Sequence, residues 1–172
     1  MTNHIVLFEP LFPANTGNIA RTCAGTDTEL HLIKPLGFSI DDKHMKRAGL
    51  DYWDKVRITT HEDLHEFLSS LSSDDCLSVV SKFASHDYSD INYDDGRDHY
   101  FLFGKETTGL PSKFMNKHSQ EAIRIPQDDS HIRALNLSNS VAIVIYEALR
   151  QQGFPNLARV HHYQHDKLKD EI

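Results

Sequence analysis

The sequence predicts an α/β protein in which a parallel sheet is covered by helices on both faces. Short apolar segments rich in β-branched residues alternate with amphipathic segments, which is typical of repeated strand–helix units. The length of 172 residues and the hydrophobic share of 39% suit one compact domain with a core of ordinary size. We therefore assign residues 1–160 to a single domain and residues 161–172 to a polar C-terminal tail.

Six segments have the composition of strands, being short, apolar and bounded by turn residues. They are residues 5–8, 30–33, 56–59, 76–80, 100–103 and 123–126. Helices are predicted at residues 18–26, 41–48 and 61–71, the last with leucine and phenylalanine at helical spacing. Strands separated by helices pair in parallel, because each crossover returns the chain to the same end of the sheet.

Residues 136–150 are predicted to form a helix that is apolar almost all round. Asn136 and Ser138 are good capping residues, and apolar residues then occupy adjacent positions until Glu147 and Arg150. A helix with so little polar surface is buried on more than one side, against its own sheet and against another subunit. We therefore expect a second subunit to cover part of this helix.

The net charge of −7 excludes indiscriminate binding of nucleic acids, which requires a basic surface to neutralise phosphates. Any RNA binding would depend on a local patch, and the candidate patch is Lys43, Lys46 and Arg47. From composition alone, a solvated helix face explains these cations better than an RNA-binding patch does.

We expect a cytoplasmic location, because the sequence shows no membrane span, no signal peptide and no disulfide framework. No apolar run exceeds the five residues 141–145, whereas a membrane span needs about 20. The N-terminus lacks the pattern of a signal peptide. Cys23 and Cys76 form neither a disulfide framework nor a CxxC motif, which agrees with a reducing compartment.

Three loops are predicted at the carboxyl ends of strands, where parallel sheets bind ligands. In the first, residues 10–17, Asn15 either caps the following helix or contributes to a site. Arg21 lies one turn after Gly17 and could project over the helix N-terminus toward a phosphate or a reacting hydroxyl. The third loop, residues 127–133, is polar and should lie at the surface.

The second loop, residues 104–111, superficially resembles a phosphate-binding loop. Gly104 after a strand permits close approach of the backbone to a ligand, and Gly109 permits a positive φ. However, Glu106 follows Lys105 where a Walker A motif requires serine or threonine. A carboxylate would repel a bound phosphate and would suit a cation or a ribose hydroxyl.

No metal site is predicted. Residues 90–101 lack the glycine and the final glutamate of a calcium loop. The tightest histidine cluster is His161, His162 and His165, which lies in the hydrophilic tail and is best explained as a solvated segment. Hydrolase and dinucleotide-binding motifs are also absent from the sequence.

Together, the three loops resemble motifs of the SPOUT-class RNA 2′-O-methyltransferases. PANTGNIART, FGKETTGLP, and IRIP followed by LNLSNSVAIVIYEALRQ are similar to motifs 1, 2 and 3 of that class. LFEPLFPANTGNIART and KHMKRAGLDYWD are similar to its minimal, single-domain TrmL (YibK) branch. The resemblance extends from residue 5 to residue 155, nearly the whole chain.

This resemblance implies a C-terminal trefoil knot that forms the pocket for the methyl donor, S-adenosyl-L-methionine. It also implies a homodimer and a reaction that needs no metal. The TrmL branch methylates the ribose 2′-hydroxyl of the wobble nucleotide, position 34, in the anticodon stem-loop of leucine tRNAs. Both cytidine and modified uridine are accepted there.

Residue by residue, the resemblance implies donor contacts that are largely made by the backbone. These contacts belong to Val79, Gly104, Ile125 and Ala134, with Leu135 packed nearby and Glu106 approaching the ribose or the sulfonium. The family often has serine where Ala134 stands, and the third loop here is one residue longer than in close relatives, so only a backbone role is carried over to position 134.

Arg21 matches the catalytic arginine of the family. Because a guanidinium stays protonated at neutral pH, we expect it to position the substrate phosphate or to stabilise the developing alkoxide. Asn15 and Asn136 are expected to orient Arg21 or the ribose, and Lys43, Lys46 and Arg47 are expected to contact the RNA backbone.

Two alternatives stay open. The same chemistry could act on another tRNA site or on ribosomal RNA, although a separate RNA-binding domain is not visible in the sequence. The chain could also be a non-catalytic RNA-binding module that keeps the fold. Intact Arg21, Glu106, Asn136 and Ser138 favour an enzyme.

Overall fold

A computed structural model describes residues 1–40 and 53–160. In this part of the chain, seven strands form one sheet in the order β3-β2-β1-β6-β4-β7-β5. The strands are β1 (Asn3–Phe8), β2 (Glu29–Ile33), β3 (Ile58–His61), β4 (Cys76–Val80), β5 (His86–Asp87), β6 (His99–Phe103) and β7 (Ala122–Arg124). Every pair of neighbouring strands is parallel, which confirms the predicted sheet. The two-residue β5 was not predicted, because so short a strand has no sequence periodicity.

Four α-helices are described, together with two short 3₁₀ turns at Trp53–Lys55 and Tyr88–Asp90. The helices are α1 (Pro13–Thr26), α2 (Leu64–Ser70), α3 (Ser112–Lys117) and α4 (Leu137–Gln151). The predicted helix at residues 41–48, with Lys43, Lys46 and Arg47, lies outside the described residues, as does the tail 161–172.

The helices cover both faces of the sheet, as predicted. Successive residues of β1 alternate between two hydrophobic clusters, because side chains of a strand point to opposite faces. Ile5 and Leu7 pack into the cluster that contains α1 and α4. Val6 and Phe8 pack into the second cluster, which α2 and α3 complete on the opposite face.

Helix α1 begins at Pro13, five residues before its predicted start. Proline is favoured in a first helical turn, since its φ suits a helix and its missing N–H would be unpaired there. Asn15 therefore lies inside the helix and is not its cap, so the capping alternative is wrong. Arg21 lies about two turns from the start of α1, not on the first full turn.

Helix α4 begins where the capping residues predicted it. The side-chain oxygen of Asn136 accepts hydrogen bonds from the backbone N–H groups of Ser138 and Asn139. The inner face of the helix buries Val141, Val144, Ile145, Ala148 and Leu149.

The outer face of α4 is also apolar, with Ile143 36% exposed and Tyr146 50% exposed.

In the described part of the chain, no helix combines the length and the hydrophobicity that crossing a membrane would require.

The sheet order brings three strand ends together. Val80 at the end of β4 pairs with Phe103 of β6 on one side and with Ile123 of β7 on the other. Because all three strands are parallel, the segments that follow them leave the sheet side by side at its carboxyl edge. The segment after β1 leaves at the same edge, since Leu7 pairs with Phe103.

Candidate active site

The first and second loops are joined by ionic and hydrogen-bonding contacts. Lys105 forms an ion pair with Glu9 at 2.6 Å. The carboxylate of Glu106 accepts hydrogen bonds from the backbone N–H groups of Leu11, at 2.9 Å, and Phe12, at 3.3 Å. The second loop therefore holds the chain in place just before α1 begins.

Asn15 connects this carboxylate to the cap of α4, three residues after the third loop. Its amide nitrogen donates to Glu106 Oε1 at 3.3 Å, and its amide oxygen accepts from Asn136 Nδ2 at 3.1 Å. The orientation of the Asn15 amide is fixed by its partners, because a carboxylate can only accept. Glu106, Asn15 and Asn136 thus form a continuous chain of side chains that links all three sequence motifs.

The two glycines of the second loop serve a tight turn. Gly109 has a φ of +69°, as predicted, and its N–H donates to the Lys105 carbonyl at 2.8 Å. A Cβ on Gly104 would lie 2.6 Å from the backbone of Gly109 and Leu110. Gly104 is therefore required because the backbone of the same loop passes close to it. The sequence had instead predicted that a ligand would lie close to Gly104.

The third loop is held by residues that follow β4 and β7. Lys82 Nζ donates to the Arg133 carbonyl at 2.9 Å, and Arg124 donates to the Lys82 carbonyl at 2.7 Å. Arg124 also pairs with Asp129 at 2.7 Å, and this hydrogen bond holds the pKa of the Asp129 carboxyl below its usual range. These contacts fix the course of an otherwise exposed segment.

The residues predicted to contact the methyl donor lie around the neighbouring ends of β6, β4 and β7. Val79 is fully buried in β4, Gly104 and Ile125 are half-buried just after β6 and β7, and Leu135 is half-buried before α4. Ala134 is exposed. These positions offer backbone groups and apolar side chains, which together suit a ligand that carries both an apolar and a polar part.

Arg21 is exposed on α1, six residues after Asn15. This spacing corresponds to about 9 Å along the helix axis. Helical periodicity puts Arg21 on the same face as Gly17 and Asn18. The predicted catalytic residues thus divide into a hydrogen-bonded pair, Asn15 and Asn136, and an arginine farther along α1.

The segment after β4 also lies at this edge of the sheet, although it was not predicted to contribute to the site. Phe83 is 83% exposed, and Lys82 Nζ lies 5.0 Å from the centroid of its ring. The general rule that ligands bind at the carboxyl ends of strands applies to this segment as much as to the other three. That rule could have identified Lys82 and Phe83 from the sequence.

Known proteins share the sequence and the fold of this chain. The chain matches the SpoU rRNA Methylase family over residues 2–146. A Lactobacillus gasseri protein, provisionally named an RNA (cytidine(34)-2′-O)-methyltransferase, is 63% identical over 171 residues, 99% of this chain and 92% of the relative. The tRNA (cytidine(34)-2′-O)-methyltransferase of Escherichia coli K12 is 44% identical over 154 residues, 88% of this chain and 95% of the relative.

One solved structure concerns the 2-OH methylation of C/U34 on tRNA. It matches this chain with a TM-score of 0.80 and 36% sequence identity, and the match covers 88% of this chain and 97% of the solved chain. Methyltransferases solved with bound S-adenosylmethionine share the fold as well. The resemblance to RNA 2′-O-methyltransferases is thus confirmed, and the chain belongs to the SpoU methylase family.

Proposed function

We propose that this protein transfers a methyl group from S-adenosylmethionine to the ribose 2′-hydroxyl of nucleotide 34 in tRNA. The proposal extends to cytidine and modified uridine in leucine tRNAs, in the cytoplasm. Its main structural support is the link Glu106–Asn15–Asn136, which connects the three motif loops at one edge of the sheet. The relatives named for the same position of tRNA support the choice of substrate.

The methyl donor would be held at the adjacent ends of β6, β4 and β7. The backbone groups around Val79, Gly104, Ile125, Ala134 and Leu135 are the proposed contacts. When bound, S-adenosylmethionine supplies an electrophilic methyl group. Glu106 already accepts hydrogen bonds from Leu11 and Phe12, so any contact with the donor would use its remaining lone pairs.

Arg21 is proposed to bind the phosphate next to the target ribose and to stabilise the charge that develops as the 2′-hydroxyl loses its proton. A guanidinium is suited to this role, because it presents several donors to a phosphate and keeps its own proton. The substrate phosphate would assist proton removal. Asn15 and Asn136 would align the ribose with Arg21 and with the donor.

A homodimer is proposed, packed through α1 and α4. The support is the exposed apolar surface of Ile143 and Tyr146 on α4, on the side away from the sheet. The anticodon stem-loop would extend across both subunits, because a single domain offers little surface for RNA. Lys43, Lys46 and Arg47 are proposed to neutralise its phosphates, so that affinity for tRNA falls steeply with salt.

The C-terminal trefoil knot is also proposed. Its support is a pair of contacts between segments that are distant in sequence: Lys82, after β4, donates to the Arg133 carbonyl, and Arg124 donates to the Lys82 carbonyl. Threading of residues 127–135 past the segment after β4 would make one pocket from parts of the chain that are far apart in sequence.

The activity is tested by incubating the protein with labelled S-adenosylmethionine and undermodified total RNA, followed by mapping of the methylated nucleotide. We expect label on the ribose of nucleotide 34 of leucine tRNA. Label elsewhere in tRNA or in ribosomal RNA would overturn the substrate assignment, and no label in any RNA would overturn the enzymatic proposal.

The role of Arg21 is tested with Arg21→Ala. We expect methyl transfer to fall at least ~100-fold, the loss typical when one charge-stabilising donor is removed, while donor affinity is retained. Arg97→Ala, at the opposite edge of the sheet before β6, is the matched control and should keep activity. An equal loss of donor affinity in Arg21→Ala would show that Arg21 is structural.

A further inference from the structure

Three buried histidines form a chain across three neighbouring strands. His4 Nδ1 of β1 lies 3.0 Å from His31 Nε2 of β2, and His31 Nδ1 lies 2.9 Å from His61 Nε2 of β3. All three side chains are buried. Glu29, which the register of the sheet places opposite His4, has its Oε2 atom 3.6 Å from His4 Nδ1.

We propose that His4 Nδ1, His31 Nε2 and the Glu29 carboxylate bind a divalent transition metal ion, for which Zn²⁺ is best suited. The three ligand atoms lie within 4.8 Å of one another. Zinc bonds to nitrogen and oxygen of about 2.0–2.2 Å in a tetrahedron put ligand atoms roughly 3.3–3.5 Å apart. Two of the three separations, 3.0 and 3.6 Å, lie on either side of this value, and the ligand atoms of Glu29 and His31 lie within 4.8 Å of each other, so shifts of the side chains would admit the ion. Water would fill the fourth position.

Neighbouring side chains form hydrogen bonds with the ligand atoms that would not bind the metal, and these bonds orient Glu29 and His31. Arg57 Nε donates to Glu29 Oε1 at 2.8 Å, which leaves Oε2 directed toward His4. His61 contacts Nδ1 of His31, the nitrogen that would not bind the metal. Protein metal sites typically contain such a second layer, because it fixes the ring and the tautomer of each ligand.

The protonation of the site is compatible with a cation. Burial lowers the pKa of His4, and burial lowers the pKa of His31 to about 4, so both rings are neutral at pH 7. If His31 donates through Nδ1 to His61, its Nε2 lone pair faces His4. One proton must then separate the two nitrogens when no ion is bound.

A metal ion would take the place of that proton, which would move to Nε2 of His4. The hydrogen bond between His4 and His31 would be replaced by the bonds of both nitrogens to the metal. Among the described residues, His4 Nε2 has no hydrogen-bond partner, so it would carry the proton as a buried N–H without an acceptor, a cost that the metal bonds must exceed.

The proposed ion would be structural and separate from methyl transfer. Glu29 is the first residue of β2 and His4 is the second residue of β1, whereas the candidate active site lies where the strands end. The ion would join β1 to β2 directly and β3 through His61. Its binding should therefore raise thermal stability without being required for the reaction.

The test uses the full-length protein, treated with a chelator and then titrated with ZnCl₂ and, separately, CoCl₂. We expect one tightly bound ion per chain, a higher melting temperature, and cobalt absorption bands typical of nitrogen and oxygen ligands. Long-range ¹H–¹⁵N spectra of the histidines should show metal binding at Nδ1 of His4 and Nε2 of His31.

Glu29→Gln is the principal variant, since Glu29 is partly exposed and the substitution keeps its shape. Zinc affinity should fall by more than about tenfold, because the loss of a residue that merely supports a ligand already costs that much. Two controls should bind like the parent: His65→Gln, an exposed histidine of α2, and the triple change of His161, His162 and His165 to Gln. Zinc affinity that is unchanged in Glu29→Gln, or zinc binding that disappears with the tail histidines, would overturn the proposal.

Discussion

Asn136 donates its side-chain amide to Asn15 at 3.1 Å, across 121 positions of the chain. Asn136 is at the same time the cap of α4, and Asn15 lies in the first turn of α1. The two helices that pack on one face of the sheet are therefore linked at their N-termini. Because Asn15 also donates to Glu106, the helix cap and the second loop are held in one arrangement.

Two substitutions can separate the role of Asn136 as the cap of α4 from its role in positioning Asn15. Asn136→Ala should lower the free energy of unfolding by about 1–2 kcal/mol, because the cap is lost. Asn136→Asp keeps an oxygen for the cap but cannot donate to Asn15, so stability should stay near that of the parent while methyl transfer falls. Urea unfolding and initial rates of transfer measure the two effects. Equal activity of Asn136→Asp and the parent would contradict a positioning role.

The carboxylate of Glu106 should be needed for the order of the first loop. Glu106→Gln replaces one acceptor oxygen by a donor, so the N–H groups of Leu11 and Phe12 cannot both be paired. We expect a loss of roughly 1.5–3 kcal/mol in stability, as for hydrogen bonds to charged groups. Thermal unfolding measures the loss, and Glu121→Gln, at an exposed glutamate, is the control.

Gly104 and Gly25 should respond in opposite ways to alanine. Gly104→Ala puts a methyl group 2.6 Å from backbone atoms that cannot move aside easily, and should destabilise by about 1–3 kcal/mol. Gly25, inside α1, has nothing within 4 Å of the new methyl group, and Gly25→Ala should stabilise by about 0.5–1 kcal/mol. Denaturant unfolding of both variants checks this, and a neutral Gly104→Ala would show that the loop can relax.

Phe83 should contribute to RNA binding by stacking on an unpaired base. Its ring is almost wholly exposed next to Lys82, at the edge where the substrate is proposed to bind. Phe83→Ala should weaken tRNA binding by about 1–3 kcal/mol, with no change in donor affinity. Phe83→Trp should restore binding, since tryptophan also stacks. Filter binding and calorimetry measure the two affinities separately.

The contacts of Asp95 should make the protein sensitive to acid. Burial raises the pKa of this carboxyl, but hydrogen bonds from Arg97 and His99 outweigh burial and hold it well below its usual range. The unfolded carboxyl therefore binds a proton more readily than the folded one, and stability falls as the pH drops below about 4.

His99 acts in the same direction at higher pH. Burial lowers its pKa, so acid favours the unfolded state from about pH 6.5 downward. Asp95→Asn should reduce stability at pH 7 by about 1–3 kcal/mol and flatten the loss below pH 4, in unfolding experiments between pH 7 and 3. Asp94→Asn, at an exposed neighbour, should leave the profile unchanged.

The parts of the fold that depend on local chemistry were predictable. Alternating apolar segments predicted six of the seven strands, and a capping residue predicted the start of α4. The start of α1 was missed, because Asn15 is a good cap by type while Pro13 in fact begins the helix. The three motif loops were predicted by their position after strands, but the hydrogen bonds between them were not.

Sequence by itself determined the family, the parallel sheet and the residue types of the candidate site, because periodicity, turn residues and motifs are local properties. Only the tertiary structure decided which distant residues meet. The Glu106–Asn15–Asn136 link and the His4–His31–His61 chain join segments that are 27 to 121 residues apart. Such contacts follow from the order and register of the strands, and these depend on the packing of the whole sheet.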